Sequence, residues 1–469
     1  MAHSSLSRRE LLAAAATAQL VLTSCGQAKR EAAAKPNIVY IMADDLGYAD
    51  LSCYGRREYR TPNIDSIAAG GVRFLQAYAN SSVCSATRTA LITGRYQYRL
   101  RMGLEEPLLD KPYGLPPTHP TLPSLLKEVG YGTTLLGKWH LGRLPDFGPL
   151  QSGYDHFWGF RGGVLDYFTH KGGIATTNSD DLWDGDAKVQ EAGYLTDLLG
   201  DRAVKVIGDY AKARQPFLLS LHFNAPHWPW EGPTDEAESQ RITRPDDYDG
   251  GSMKTYAAMV TRLDLQVGRV LKALADNRIV DDTIVVFTSD NGGERFSDTW
   301  PFTGKKQELL EGGLRIPALV RWPGHIRAGN TTDQVSVSMD WMPTLLAAAG
   351  AQADPGYPLD GMNLLPQIKE GSTPVSRRLY WRYHFNQQRA MRDGDMKYLK
   401  IAENEFLFNL VDDPLERANL KLRQPDVFKR MVQAYAAWNT TMLPDTDDIS
   451  SDPLGYADEI ADHFGVKRN

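Results

Sequence analysis

The run Asn37-Ile-Val-Tyr-Ile-Met42 is followed at once by Ala43-Asp44-Asp45. Its near-continuous apolar character marks a strand buried on both faces, since a strand with one wet face would alternate apolar with polar residues. Three more runs repeat the arrangement. YGTTLLG (Tyr131 to Gly137) leads into Lys138-Trp139-His140, FLLSLHF (Phe217 to Phe223) into Asn224-Ala225-Pro226-His227, and TIVVFTS (Thr283 to Ser289) into Asp290-Asn291. Helical stretches lie between, and this βαβα rhythm predicts an α/β fold, a mostly parallel central sheet sandwiched by helices. In open sheets of this kind ligands bind outside the carboxyl ends of the strands, so four strand ends deliver their polar residues to one edge.

Outward from these strands, TPNIDSIAAGG (Thr61 to Gly71) reads as a helix with a capping Thr, an early Pro and a double-glycine stop, and LPSLLKEVG (Leu122 to Gly130) ends the same way. The main domain is expected over 36–350, closing with DWMPTLLAAAG, and residues 351–375 are a turn-rich connection. Over 376–440, RLYWRYHF, QRAMRD, MKYLKI and EFLFNL stand at hairpin spacing before an amphipathic stretch. This predicts a smaller C-terminal antiparallel sheet plus helix, with 441–469 as an acidic tail. At the other end, twin arginines in SRRELL (Ser7 to Leu12) precede an apolar run too short to span a bilayer, so 1–24 reads as an export signal of the twin-arginine type. Leu22-Thr23-Ser24-Cys25-Gly26 resembles the lipobox of bacterial lipoproteins, the alternative being an ordinary secretory signal cut nearby, and 25–35 reads as a polar tether. An exported protein, periplasmic or anchored to a bacterial cell envelope through a lipid on Cys25, is the expectation.

Composition narrows the function classes. The 469 residues are 42% hydrophobic and 23% charged, as in a globular protein and unlike a disordered or polytopic membrane chain. Fifty-two basic against 58 acidic residues give −6, and no basic block occurs, which argues against nucleic acid as a partner. Three cysteines cannot build a disulfide framework, and Cys53, without chemical company, reads as a packed thiol.

Two constellations carry chemistry. Asp44, Asp45, Asp290 and Asn291 supply three carboxylates and an amide, hard oxygen donors suited to Ca²⁺ or Mg²⁺. Either pair alone is as well read as a cap or turn, but at two strand ends together they favour a metal. In VCSATRTALITGR (Val83 to Arg95), Cys84 opens a helix-like stretch and Arg88 lies one turn along the same face, placing a nucleophile at the positive end of a helix dipole beside an anion clamp. Standing alone, the cysteine would read as a small core residue.

Together these motifs are similar to those of the type I sulfatases of the alkaline phosphatase superfamily. PNIVYIMADDLG, CSATR with LITGR, LPSLLKEVGYGTTLLGKWHLG, APHWP, TSDNGG and GKKQELLEGGLRIP resemble the family's motifs in order, and RLYWR, RDGDMKYLK and LFNLVDDPLERANL resemble its smaller domain. The resemblance implies an alkaline-phosphatase-like fold and hydrolysis of sulfate monoesters, of a sulfated carbohydrate or an aryl sulfate, through a hydrated formylglycine (3-oxoalanine) nucleophile and a sulfated-enzyme intermediate. It makes Cys84 the formylglycine precursor and Asp44, Asp45, Asp290 and Asn291, with the Cys84-derived oxygen, the ligands of one Ca²⁺. Arg88, Lys138, His140, His227 and Lys306 match the sulfate-binding and proton-transferring positions, Lys306 rather than Lys305 because it lies five residues before Glu311. The family's usual cysteine pattern is C-x-P-x-R, and Ala86 stands where proline is usual, which bears on which formylglycine-generating maturation enzyme accepts the site.

The chemistry agrees: an anionic ester needs cations around its oxygens, a strong oxygen nucleophile and an acid for the leaving alcohol. On this reading His227 or Lys306 protonates the leaving oxygen and His140 takes the proton whose removal expels sulfate. His222 reads as a satisfied strand residue outside the site. Trp183, Trp228, Trp230, Trp300, Arg295, His170 and His384 either line a sugar subsite or are core and rim residues. Competing readings are a phosphodiester or phosphonate monoester hydrolase of the same superfamily and a catalytically silent binder of sulfated glycans.

Overall fold

In a computed structural model of the chain, residues 35–108, 111–172, 179–241, 250–370 and 373–451 are described. The export signal, Cys25 and the tether up to residue 34 lie outside the described residues, as does the tail beyond residue 451. Ten strands make the main sheet. In chain order they are β1 (Asn37–Ala43), β2 (Val72–Phe74), β3 (Gly132–Lys138), β4 (His156–Phe160), β5 (Trp183–Asp184), β6 (Ala187–Lys188), β7 (Phe217–His222), β8 (Thr283–Ser289), β9 (Ala318–Arg321) and β10 (Asn330–Thr332). Their spatial order is β10-β2-β9-β8-β1-β7-β3-β4-β5-β6. The five central strands β8-β1-β7-β3-β4 run parallel, and they include all four apolar runs read from the sequence.

Register aligns their carboxyl ends. Met42 pairs with both His222 and Thr288, and His222 pairs with Gly137. The residues that follow therefore emerge side by side. All seven residues of β1 are buried, as the missing alternation implies. One face of the sheet, with Val39, Ile41, Leu221 and Phe287, packs on α4 (Leu195–Ala213) and α5 (Met253–Asp276) through residues such as Leu199, Ile207, Leu263 and Val267. The opposite face, with Ile38, Tyr40, Leu135 and Val286, packs on α2 (Cys84–Thr93), α3 (Leu122–Glu128) and α6 (Trp341–Ala349) through Leu91, Ile92, Leu125, Trp341 and Leu345. Burial at about 25 cal/mol per Å² on both faces holds the sheet between two helical layers.

α1 (Pro62–Ala69) starts after Thr61, as read, but the Thr61 hydroxyl makes no cap bond. It accepts from the Ser52 amide at 2.9 Å and donates to Asp65 at 2.9 Å, tying the helix to the preceding turn. At α3 the cap is made by Thr121, whose hydroxyl accepts from the Ser124 amide.

The C-terminal sheet has four antiparallel strands, β11 (Arg378–Tyr383), β12 (Gln388–Asp393), β13 (Met396–Ile401) and β14 (Asn404–Asn409), followed by α7 (Pro425–Asn439). One face packs on α7 through Met391, Tyr398 and Leu407 against Met431 and Tyr435. The other, with Trp381, Leu399 and Phe408, packs on Val83, just ahead of the cysteine helix, on Ala86 and Ala90 within it, and on Leu309 and Leu310. This small sheet is thus a wall behind the site. Among the described residues no helix is long and apolar enough to cross a membrane.

Candidate active site

β1 ends at Ala43, and Asp44 and Asp45 follow it, fully buried. Asp45 takes a left-handed φ of 64°, which turns its side chain away from the strand's alternation, and its amide donates to Asp290 Oδ1 at 3.2 Å. Asp290 and Asn291 follow β8 with no exposure. Across from them α2 begins at Cys84, 2% exposed, whose Sγ lies 3.5 Å from Asp44 Oδ1. Every residue of α2 is buried, because it is enclosed between the main sheet and the C-terminal sheet.

Three cations interleave with the three carboxylates. Lys138 Nζ, from the end of β3, is 2.6 Å from Asp44 Oδ2. Lys306 Nζ is 2.8 Å from Asp45 Oδ2. Arg88 donates from Nε at 3.1 Å and from Nη2 at 2.8 Å to Asp290 Oδ2, and its Nη2 is 3.5 Å from Asp44 Oδ2. Arg88 and Cys84 thus meet the acidic group from one helix face, as their four-residue spacing requires.

Burial sets the direction of several proton equilibria. It pushes the Cys84 thiol up to about 12, against the opposing pull of Lys138 and Lys306. Burial also raises Asp290, aided by Asp44 and opposed by Arg88. For Asp45 burial acts upward but Lys306 and His227 prevail, and the carboxyl is lowered. His140 and His227 are both held well below the ordinary imidazole value by burial first, then by Lys138 and Arg88 for His140 and by Lys306 for His227. Both are therefore neutral bases at neutral pH.

Hydrogen bonds assign the tautomers. A carbonyl can only accept, so the 2.9 Å contact from His140 Nε2 to the Leu108 oxygen places the proton on Nε2. The lone pair is then on Nδ1, which is buried and has no partner. His227 Nδ1 donates to the Trp228 oxygen at 2.6 Å, leaving Nε2 to face Asp45 Oδ2 at 3.6 Å. His140 does not continue the strand alternation: its φ of 56° bends the chain after β3, so its nearness to Lys138 comes from that turn rather than from two-residue periodicity. Its ring lies against Gly163, where a Cβ would come within 2.7 Å of Cε1.

The donor set fits a hard divalent cation. Asp44, Asp45, Cys84 and His227 place a ligand atom each within 4.8 Å of one another. Asn291 gives both N–H bonds away, to Asp45 Oδ1 at 2.7 Å and the Gly292 oxygen at 2.9 Å, while its Oδ1 is buried with no partner. A buried amide oxygen left over among carboxylates is a ready ligand.

Of the aromatic and cationic candidates, Trp228, Trp230 and His170 are buried and Trp300 is 67% exposed. His384 Nδ1 pairs with Asp445 at 2.7 Å on the C-terminal side. His222 is buried with Nδ1 3.3 Å from the Lys138 oxygen and 3.5 Å from Arg88 Nη1, which makes it a neighbour of the arginine clamp.

Sequence reasoning missed the residues that aim Lys306. Gln388, at the start of β12, accepts from the Leu309 amide at 2.9 Å and donates to the Gln307 oxygen at 2.9 Å. The Gln307 amide in turn donates to the Ser82 oxygen, two residues before Cys84. Gln307 sits at a φ of 70°, held there by bonds on both sides. Glu311 closes the same turn, fully buried and bonded to Tyr78, Arg315 and Lys397. Those cations lower its carboxyl despite burial. No local pattern marks Gln388, because its partners lie about 80 residues away. Gln388→Ala is expected to lower kcat/KM about tenfold or more by freeing Lys306, with the fold retained; steady-state kinetics with a thermal melt checks this, and unchanged kinetics would contradict it.

The His227 loop has its own support. Tyr167 donates its hydroxyl to the Asn224 and His227 oxygens, and its amide to Glu231 at 3.2 Å. Burial raises the Glu231 carboxyl to about 9, with Asp166 adding to the effect. A carboxyl raised in the folded state keeps its proton there while the unfolded chain loses it, so stability falls with pH between about 4.5 and 9 at roughly 1 kcal/mol per unit. Glu231→Gln is expected to flatten that slope and to melt higher than the wild type at pH 8 but not at pH 4. Melting curves across this range check it.

The mostly parallel sheet with helices on both faces and the small C-terminal antiparallel sheet form an alkaline-phosphatase-like architecture. The profile of the sulfatase family matches residues 36–351, and that of the N-sulphoglucosamine sulphohydrolase C-terminal region matches 302–434. The chain is 33% identical to human N-acetylgalactosamine-6-sulfatase over 74% of its length and 68% of that protein's. It is 29% identical to mouse arylsulfatase J over 87% of its length and 77% of that protein's. The crystal structure of Ps i-CgsB superposes with a TM-score of 0.80 at 32% identity, over 89% of this chain and 95% of that one, and the same protein has been solved with k-i-k-neocarrahexaose. The chain belongs to the sulfatase family and is a sulfuric ester hydrolase.

Proposed function

We propose that the enzyme removes sulfate from a sulfated carbohydrate with a formylglycine made from Cys84, beside a calcium ion held by Asp44, Asp45, Asp290 and Asn291. The observation that carries this reading is the convergence of Cys84, at the head of α2, on the acidic cluster, with its Sγ 3.5 Å from Asp44 and Lys138, Lys306 and Arg88 ionically paired around it. Relatives acting on sugars support the substrate class: one is an N-acetylgalactosamine-6-sulfatase, and another has been solved with a neocarrahexaose. The reading of residues 1–24 as an export signal and of Leu22 to Gly26 as a lipobox supports an enzyme of the bacterial envelope, where it would meet external polysaccharide.

Oxidation of Cys84 by a maturation enzyme supplies an oxygen nucleophile, and the divalent cation supplies Lewis acidity at the ester oxygens. The chain's own residues do the rest. Arg88, Lys138 and Lys306 hold the sulfate oxygens and balance the charge that grows on them. His227 and Lys306, both beside Asp45, are placed to give a proton to the departing sugar oxygen. A bound anion raises the proton affinity of His227 Nε2, so the acid form arises with substrate present. His140 accepts a proton at Nδ1, where its lone pair is unpartnered.

These roles separate by leaving group. His227→Ala is expected to lose about 10²–10⁴-fold on sugar sulfates and far less on aryl sulfates, whose phenolate departs unaided. His140→Ala is expected to retain the added mass of one sulfate on the Cys84 peptide after brief exposure to an aryl sulfate. Equal losses on both substrates for His227→Ala, with no added mass in His140→Ala, would contradict the assignment.

A further inference from the structure

Asn224, two residues after β7 and three before His227, carries a side-chain amide to which the catalytic reading gives no task. It is 3% exposed, and neither its Oδ1 nor its Nδ2 has a hydrogen-bond partner among the described residues. Buried amides are almost always paired, because an end left bare forfeits the water it would hold in the unfolded chain. Two other bare atoms at this edge of the sheet, His140 Nδ1 and Asn291 Oδ1, are those already assigned to proton transfer and to the cation.

The strand pattern places this amide in the site. Phe223 and Ala225, on either side of Asn224, both join the apolar cluster packed on α4 and α5. Asn224 between them takes the opposite face, where His222 Nδ1 approaches Arg88 Nη1 at 3.5 Å. The Phe223 amide donates to the Met42 oxygen at 2.9 Å and the Asp44 amide to the Ala225 oxygen at 3.2 Å, which holds Asn224 against the end of β1. On the other flank His222 pairs with Gly137, so Lys138 ends β3 alongside. Neighbouring strands lie about 4.8 Å apart, so Asn224 stands one such spacing from the segments that carry Asp44 and Lys138. Its backbone is fixed, since its oxygen accepts from the His227 amide at 2.8 Å and from the Tyr167 hydroxyl at 3.1 Å. An amide on so rigid a support is preorganised for a ligand.

What an amide needs defines the group it meets. Sulfate oxygens only accept, so they can answer Nδ2 but not Oδ1, and the donor that a neutral sugar offers to Oδ1 is a hydroxyl. We propose that Asn224 is a substrate-binding residue: Oδ1 accepts from a ring hydroxyl one or two carbons from the sulfate ester, and Nδ2 donates to an oxygen of the same sugar. By that hydroxyl the enzyme discriminates among sugars that carry the same sulfate. This rests on the reading of the site as one for carbohydrate sulfates.

The test uses the matured full chain with Asn224→Leu, which keeps the size and removes both polar ends, and Asn224→Ala as a second variant. The probes are galactose and N-acetylgalactosamine monosulfates, deoxy analogues of the one turned over fastest, and nitrophenyl sulfate. On the parent sugar Asn224→Leu is expected to lose about tenfold or more in kcat/KM. The wild type is expected to lose a similar factor when the paired hydroxyl is replaced by hydrogen, a replacement that costs the variant little more. Nitrophenyl sulfate, which has no hydroxyl, is expected to lose far less. Full activity of both variants on the parent sugar overturns the proposal, and so does a loss that falls equally on parent, deoxy and aryl substrates, which is the mark of a structural role. Calorimetry of the same sugars on Cys84→Ala, with and without Asn224→Leu, reads binding without turnover. If the wild type releases sulfate from no sugar, yet Cys84→Ala binds one about tenfold more tightly than the double variant does, the catalytic reading fails and the Asn224 assignment stands. Equal binding, or none, overturns the assignment.

Discussion

Cys84→Ala is expected to lower kcat/KM by about 10⁴-fold or more while the melting temperature moves by only a few degrees. The two effects separate because of where the residue sits. As the first residue of α2 it contributes one polar contact, the 3.5 Å approach of Sγ to Asp44, and alanine is a good helix former. Arg88, four residues on, keeps its bonds to Asp290, so the anion clamp survives the change. What disappears is the precursor of the nucleophile. Cys84→Ser is expected to be as inactive in most hosts, since a hydroxyl has neither the second oxygen of a hydrated aldehyde nor the thiol's route to it. Sulfate release with purified Cys84→Ala within about tenfold of the wild type would contradict the account.

Calcium chelation is expected to abolish turnover and lower the melting temperature together, both restored by adding Ca²⁺ back. The charges argue for it. Asp44, Asp45 and Asp290 balance Arg88, Lys138 and Lys306, so the side chains alone sum to zero. A dication leaves two positive charges, matching a singly charged sulfate ester and an anionic oxygen nucleophile. Binding at 100 times the dissociation constant stabilises the folded state by about 2.7 kcal/mol, which scanning calorimetry resolves. Asp290→Asn is expected to weaken this response and to destabilise in its own right, because the buried Arg88 guanidinium loses its principal partner. Rate and melting temperature unchanged in excess chelator would refute the calcium assignment.

The central sheet was legible because its strands are buried on both faces, so NIVYIM and TIVVFTS announce themselves by the absence of alternation. Placing Asp44 and Asp290 on one edge then followed from parallel order alone. The flanking strands Val72–Phe74 and Ala318–Arg321 are three and four residues long and carry no such signal. The helix Cys84–Thr93 is buried all round although Ser85, Thr87, Arg88, Thr89 and Thr93 are polar, so its composition does not mark it as enclosed between two sheets. Contacts between distant segments were beyond reach: Gln388 with the Lys306 turn, Leu108 with His140, and Gly163 with the His140 ring all depend on the folded arrangement. The left-handed turn at His140 was also invisible, since histidine, though enriched at positive φ, adopts it too seldom for one residue to mark a turn.

The most direct test of the central claim is the mass of the peptide carrying Cys84, taken from protein expressed with its maturation system. The account predicts an aldehyde, about 18 Da lighter than the thiol, in a fraction that tracks the specific activity of each preparation. A peptide found wholly as the thiol in a preparation that releases sulfate would contradict it.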